Sequence, residues 1–505
     1  MKIQMKIGVV TSYLNIILNM AFTVFLTPFL ISSLGASEYG VYKIIQSFTG
    51  QLTIVSFGIS TLVIRNIVYY NSKKEQIEKE NFLFFALIFT FIVGIFILVV
   101  GGALYPLLNT IYKNSLTSSE LSLAKILYIF MVINMSLSII CDSYIGIITA
   151  HEKFAISNGI MTFKLIIRVL IIVLLMKFNF SAVFIVLTDC SLSVISFVFS
   201  FIYGRFHLHE IPKFHKIDKF MFKQSFRFSI AIMLQTIISQ INQSLDNTIL
   251  GVMTDASTVT MYSIGLSIFT IFISLVTVIR GLFIPSATKL IASNPDSDQI
   301  TDFVVKPGRF QLIIAGVAIT GFILFGKNFI FLWVGDAYSG AYLVSVILLM
   351  SSVIPLIETT TVSILDAMMK RLGRSIILIV MSVINVIISV ILIQKIGYIG
   401  AAIGTSISYI VGDGILLNIY LHRTIKLEVF TMFKKIFSGL GWSIGISLLL
   451  GIPLIFWPSS LVWFFAKVMM YSIIYIIVVY FVGMNEGEKI MIKKIMRRSN
   501  FGEDS

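Results

Sequence analysis

Charge is scarce in this chain. Only 12% of its 505 residues are Asp, Glu, Lys or Arg, roughly half the ~25% of an ordinary soluble domain. A soluble globular enzyme is thereby excluded. Cysteine is nearly absent. Cys141 and Cys190 both lie inside apolar runs, which excludes a disulfide framework and a thiolate metal site. The histidines His151, His207, His209, His215 and His422 fall in polar connections and form no ligand cluster, so no metal or other cofactor is expected. Long outer segments are missing too. Connections such as "GDAYSG" and "WPSS" are short, and the longest, around Leu108 to Ser119, cannot form a domain. An enzyme working outside a membrane would need more room. No cleavable signal peptide is expected: Ile7 to Ile31 is long enough to span and lacks a small-residue cleavage site.

What the chain has is apolar sequence: 57% of residues are hydrophobic, and mean hydropathy is +0.97. A spanning helix takes about 20 mostly apolar residues. The sequence offers fourteen such runs, at 7–33, 41–66, 82–109, 121–149, 155–177, 181–204, 226–251, 258–285, 310–334, 340–368, 375–394, 399–421, 435–457 and 460–483. The expected fold is an all-α polytopic membrane protein. Lys and Arg set its orientation by the positive-inside rule. With the N-terminus and every even-numbered connection in the cytoplasm, the outer side receives only Lys43, Lys113, Lys177, Lys327 and Lys395. Lys125, Lys164, Arg168, Arg280 and Lys467 fall within spans, and the rest of the 38 Lys and Arg lie inside. Both termini are expected in the cytoplasm. The net charge of +14 then reflects topology and does not indicate nucleic-acid binding.

The longest basic connection, "GRFHLHEIPKFHKIDKFMFKQSFRF", follows the sixth run and divides the chain. The expected organisation is a six-helix lobe at 1–204, a basic cytoplasmic linker at 205–225, a second six-helix lobe at 226–421, two additional spans at 422–484 and a basic cytoplasmic tail at 485–505. The halves echo each other. Leu34-Gly35, Tyr42 and Val63-Ile64-Arg65 are answered by Leu250-Gly251, Tyr262 and Val278-Ile279-Arg280. Six helices per half make these parallel repeats, an arrangement common in transporters.

"LGASEYGVY" after the first span resembles the LG-x-x-x-YG-x-Y signature of polysaccharide-export flippases. "SQINQSLDNTILG" with the following "YSIG", the basic half-linker and "AHEKF" after the fourth span resemble further parts of that pattern. The chain is similar to the Wzx-type, O-antigen flippase branch of the multidrug/oligosaccharidyl-lipid/polysaccharide (MOP) superfamily. The resemblance implies a two-lobed bundle in a bacterial cytoplasmic membrane. It also implies movement of an undecaprenyl-pyrophosphate-linked oligosaccharide from the cytoplasmic to the outer leaflet, by alternating access through a cationic central cavity. Membrane lipids and polysaccharide polymerase machinery would be its partners.

That substrate gives the intramembrane cations a purpose. Lys164 and Arg168 lie four residues apart on one helix face, and each costs ~2.5–3.5 kcal/mol in lipid by insertion scales. Lining a watery cavity, they would meet the pyrophosphate, Arg holding two oxygens at once. The competing reading pairs them structurally with Asp189 in the sixth span or Asp142 in the fourth. Arg65 and Arg280, at equivalent places in the halves, would form a cationic entrance, or anchor the spans by snorkelling. Lys125 and Lys467 read as interfacial. Asp246, Glu358, Asp366 and Asp413 lie in or near spans, where a carboxylate can carry a coupling ion or pair with a neighbouring helix; Glu358 follows Pro355. Trp457 and Trp463 suit an interfacial belt. Three other functions compete. An ion-coupled multidrug extruder should present carboxylates to cationic drugs. A membrane polymerase or acyltransferase should place a histidine base in a span. A scaffold has no use for paired cations.

Overall fold

Long apolar runs become helices because a backbone in lipid must satisfy its own hydrogen bonds. The computed structural model of the protein describes residues 2–56, 58–175, 181–216, 233, 240, 245–277, 287, 290–291, 293, 295–368 and 370–490. Among the described residues every regular element is helical, and eleven helices are long and apolar enough to cross a membrane. The first of these contains two of the expected spans, and the tenth span is broken into shorter pieces. The seventh lies largely outside the described residues. The protein is an all-α polytopic membrane protein, and its eleven described candidate spans fall within the hydropathy pattern read from the sequence.

The N-terminal elements are α1 (Lys2–Gly50), α2 (Ile59–Lys73), α3 (Gln76–Leu104), the short α4 (Leu107–Tyr112), α5 (Ser118–Ala150), α6 (Phe154–Leu175) and α7 (Ala182–Ile202). α1 turns sharply at Gly35, where φ is 76° and ψ 169°, a backbone region essentially reserved for glycine. This is the glycine that opens the "LGASEYGVY" motif. The second glycine of the motif, Gly40, is needed for space instead, since a Cβ there would lie 1.8 Å from the Ala256 carbonyl oxygen. Thr260 Oγ1 donates to the Ala36 carbonyl at 2.6 Å beside it. Glu38 accepts from the Ser181 hydroxyl and the Ala182 amide, both at 2.6 Å, placing a carboxylate at the N-terminus of α7, where the helix dipole favours it. The motif is therefore a turn, a close approach and a cap.

The described residues form two compact units, Met1–Ser263 and Ile264–Ser505. On the first, the linker is pinned at Glu210, whose Oε1 accepts from Lys79 Nζ and meets His151 Nε2, each at 2.7 Å. Asn81 takes the amides of His215 and Lys216 at 3.1 and 3.2 Å. Burial alone would raise the Glu210 carboxyl, but the hydrogen bonds from His151 and Lys79 outweigh it and hold the group below its usual range.

Further along run α8 (Ala256–Thr277), α9 (Ser297–Val334), α10 (Ala341–Ser351), α11 (Val353–Ile357), α12 (Thr359–Ala367), α13 (Arg371–Ile396), α14 (Tyr398–Ser408), α15 (Asn418–Ile425), α16 (Val429–Phe437), α17 (Leu440–Gly451) and α18 (Leu461–Val478). A π-helical stretch, Tyr409–Leu417, joins α14 to α15. α9 begins well before the expected start at 310, because Asp296 and Gln299 form a reciprocal cap ahead of it. Leu312, Phe325, Leu421, Met432, Ile436, Tyr471 and Tyr475 share one buried core. In that core Arg309, 3% exposed, donates to Glu488 at 2.6 and 3.0 Å. It also donates to the carbonyls of Lys435, Ile436, Ser438 and Gly483. Lys467, expected at an interface, is 1% exposed. Its outer-end position in sequence said nothing of the α18 face that packs inward.

Candidate functional site

α6 packs against α1 and α7 and carries both intramembrane cations on one face, as the four-residue spacing requires. Their partners differ. Arg168 Nε donates to Asp189 Oδ1 at 2.6 Å and Nη2 to Oδ2 at 3.1 Å. This is the two-pronged geometry a guanidinium offers a carboxylate. Nη2 also reaches the Tyr42 hydroxyl at 3.4 Å. Lys164 has no carboxylate within ion-pair distance among the described residues. Its Nζ donates to Ser193 Oγ at 2.9 Å, and Ser193 donates to Asn134 Oδ1 at 2.6 Å. Asp189 therefore neutralises Arg168 alone.

A third cation stands near them. Lys43 Nζ lies 5.4 Å from the Tyr39 ring centroid and 5.7 Å from that of Tyr42, the ring whose hydroxyl meets Arg168. It donates to Gln46 at 3.3 Å. Sequence reasoning counted Lys43 on the outer side, at the very start of the 41–66 run. With the turn at Gly35, it instead lies eight residues into the second span, about 12 Å at 1.5 Å per residue. Tyr42 and Lys43 are the site residues that sequence reasoning missed. The signal was present, since Tyr42 closes the "YGVY" motif. The side chains of Arg168 and Asp189 are 25% and 20% exposed. This face thus presents Lys43, Lys164 and Arg168 against Asp189, with Asp142 exposed on α5.

The other expected residues are distributed differently. Arg65 is exposed on α2. Arg280 lies outside the described residues. Asp246 accepts from the Tyr262 hydroxyl at 2.5 Å, and next to it Asn247 accepts from Ser263 at 3.1 Å. The "LDN" and "YS" parts of the second motif thus bond to each other. Glu358 and Asp413 are buried in the second unit at 1% and 4% exposure. Asp413 Oδ1 lies 3.9 Å from Arg374 Nη2. The side chain of Asp366 lies outside those described. No group of three metal-binding side chains occurs among the described residues.

The family described as "Polysaccharide biosynthesis protein" matches residues 6–291. No curated protein sequence matches. Among solved structures, the lipid II flippase MurJ in its inward closed conformation superposes with a TM-score of 0.71 at 16% identity, covering 97% of this chain and 99% of its own. An inward-facing multidrug resistance MATE family transporter of the MOP superfamily reaches 0.64 at 13%, covering 81% and 96%. A MOP superfamily transporter from Pyrococcus furiosus, whose binding pocket is described as reversed in polarity, reaches 0.52 at 14%, covering 84% and 95%. The likenesses show a common fold, and the family match covers more than half of the chain. The protein belongs to the polysaccharide biosynthesis protein family.

Proposed function

We propose that the protein moves an undecaprenyl-pyrophosphate-linked oligosaccharide from the cytoplasmic to the outer leaflet of a bacterial cytoplasmic membrane, supplying surface polysaccharide synthesis. It works as a transporter by alternating access, without chemistry on the substrate, and with both termini in the cytoplasm. The observation that carries this reading is the unequal pairing on α6. Asp189 is fully engaged by Arg168, while Lys164 hydrogen-bonds the neutral Ser193 and has only the charge of Asp142, outside ion-pair distance, to balance it. A cation left with neutral partners in a span is costly unless an anion visits it. A pyrophosphate between lipid and sugar is such an anion. Lys43 and Arg168 would share its charge. The multidrug reading draws on the MATE-like fold. An extruder of cationic drugs, however, would gain nothing from a face with excess positive charge.

Mass analysis of lipid-linked sugars in a deletion strain tests the proposal. Undecaprenyl-pyrophosphate-linked oligosaccharide should accumulate in the cytoplasmic leaflet and clear when the wild-type chain is restored. An unchanged lipid-linked pool would refute the substrate.

A further inference from the structure

The second unit contains a polar cluster that anion recognition does not use. The tenth span comes apart around it. α10 ends at Ser351, α11 runs only from Val353 to Ile357 and includes Pro355, and α12 resumes at Thr359. Glu358 is the residue at the break. Opposite lies the π-helical stretch Tyr409–Leu417, and such stretches often mark functional sites. Asn418, at its end, donates Nδ2 to Glu358 Oε1 at 2.6 Å and lies 3.1 Å from the carbonyls of Asp413 and Gly414. Glu358 is 1% exposed and Asn418 5%. Two buried oxygens on these bonded neighbours have no hydrogen-bond partner: Glu358 Oε2 and Asn418 Oδ1. Both are acceptors, and a buried acceptor without a donor is expensive.

One hydrogen resolves this. A proton on the Glu358 carboxyl makes it a donor, and Asn418 Oδ1 is the idle acceptor on the residue it already touches. Charge leads to the same count. Arg374 on α13 stands against Asp413, so an ionised Glu358 would leave the cluster with one negative charge too many. Neighbouring elements offer little to offset it. Arg309 on α9 is committed to Glu488 and carbonyls, Gln311 on α9 is neutral and donates to Thr359, and His422 on α15 is held on the Leu427 carbonyl at 3.0 Å. A metal cation would instead face the Arg374 guanidinium and the hydrogens of the Asn418 amide. We propose that Glu358 is a proton-carrying site, loaded and unloaded as the broken tenth span moves against the π-helical stretch, and that this proton is coupled to transport. The transport half of this statement rests on the flippase reading above.

Infrared difference spectroscopy of the purified full chain, titrated from alkaline to acid buffer, tests the site without any substrate. A carboxylic-acid carbonyl band should appear, be lost in Glu358→Gln, and be the same in sodium as in potassium chloride. A band unaffected by Glu358→Gln, or one that sodium removes at constant pH, would overturn the proposal. Asp413→Asn provides a second test that keeps Glu358, should Glu358→Gln not accumulate. Removing the neighbouring negative charge should move the band's midpoint toward acid; an unmoved midpoint also counts against the site. In cells, abundant Glu358→Gln should accumulate lipid-linked sugar, and normal export by it would end the coupling claim. If the deletion strain itself accumulates none, the substrate reading fails while the infrared result stands.

Discussion

The two polar clusters differ in sign, exposure and satisfaction. In the first unit, Lys43, Lys164 and Arg168 outnumber Asp189 and Asp142, and the Arg168–Asp189 pair is partly exposed. In the second, Glu358 and Asp413 outnumber Arg374 and are almost wholly buried. An exposed excess of charge can be answered by a visiting ion of opposite sign. A buried excess must be answered from within or by the smallest cation available. Their different surroundings suit the first to a large anion and the second to a proton.

The largest expected effect tests the first cluster. Lys164→Ala with Arg168→Ala should abolish export, read as surface polysaccharide, with the protein still present in membranes. Lys113→Ala, between α4 and α5, should export normally. Normal export by the double variant would remove the anion role from α6.

A finer contrast separates recognition from pairing. Arg168→Gln leaves Asp189 facing a neutral amide. Breaking a buried pair costs about 3–5 kcal/mol; with a fifth to a quarter of each side chain exposed, we expect roughly 1–2 kcal/mol after solvent screening. The variant should be inactive and somewhat less abundant. Asp189→Asn added to it should restore abundance, by immunoblot of membranes, without restoring export. Recovery of export as well would make Arg168 purely structural.

Of intermediate size is Gly40→Ala, which touches neither cluster. Its new methyl would press on the Ala256 carbonyl, a backbone atom that cannot swing aside. Overpacking of this kind costs about 1–3 kcal/mol, so the thermal midpoint of the purified protein should fall. An unchanged midpoint would mean that the contact relaxes easily.

The smallest effect concerns the linker. The Glu210 carboxyl is held below the ordinary glutamate value of 4.5 by its bonds to His151 and Lys79. A depressed carboxyl contributes stability above its unfolded value and loses it as pH falls through the folded one. The anchor to Lys79 and His151 should therefore hold at neutral pH and loosen below about 4.5. Hydrogen exchange at 209–216 should rise there in wild type and be raised already at neutral pH in Glu210→Gln. Equal exchange in both proteins would show that Glu80 and Asn81 hold the segment without Glu210.

Much of this was legible in the sequence, for definable reasons. Hydrophobic runs fix spans because lipid leaves the backbone no alternative. The shared face of Lys164 and Arg168 followed from helical spacing, and Asp189 was a candidate partner from its depth in the next span. Pro355 beside Glu358 marked the break. Which partner each cation takes was not legible, because it depends on how α6 and α7 rotate about their axes, and that is set by packing. Lys43 was read at the very start of its run because the position of the Gly35 turn, which sets how deep it lies, was not legible. Asn418, 60 residues from Glu358, carries no sequence mark of its bond to it.

The Arg309 clamp has a consequence for how the chain is made. Its carboxylate, Glu488, is encoded 179 residues later. At the usual 5–20 residues per second of synthesis, the guanidinium waits roughly 10–35 s before that partner exists. Throughout that interval a cationic helix must be sheltered by the insertion machinery, by lipid headgroups or by water. The segment carrying Glu488 then acts as a closing latch, because the ninth span cannot reach its final neutralised setting until that residue has been delivered. A ribosome that stops short of Glu488 would leave Arg309 as an open charge in the core, a ready mark for membrane quality control.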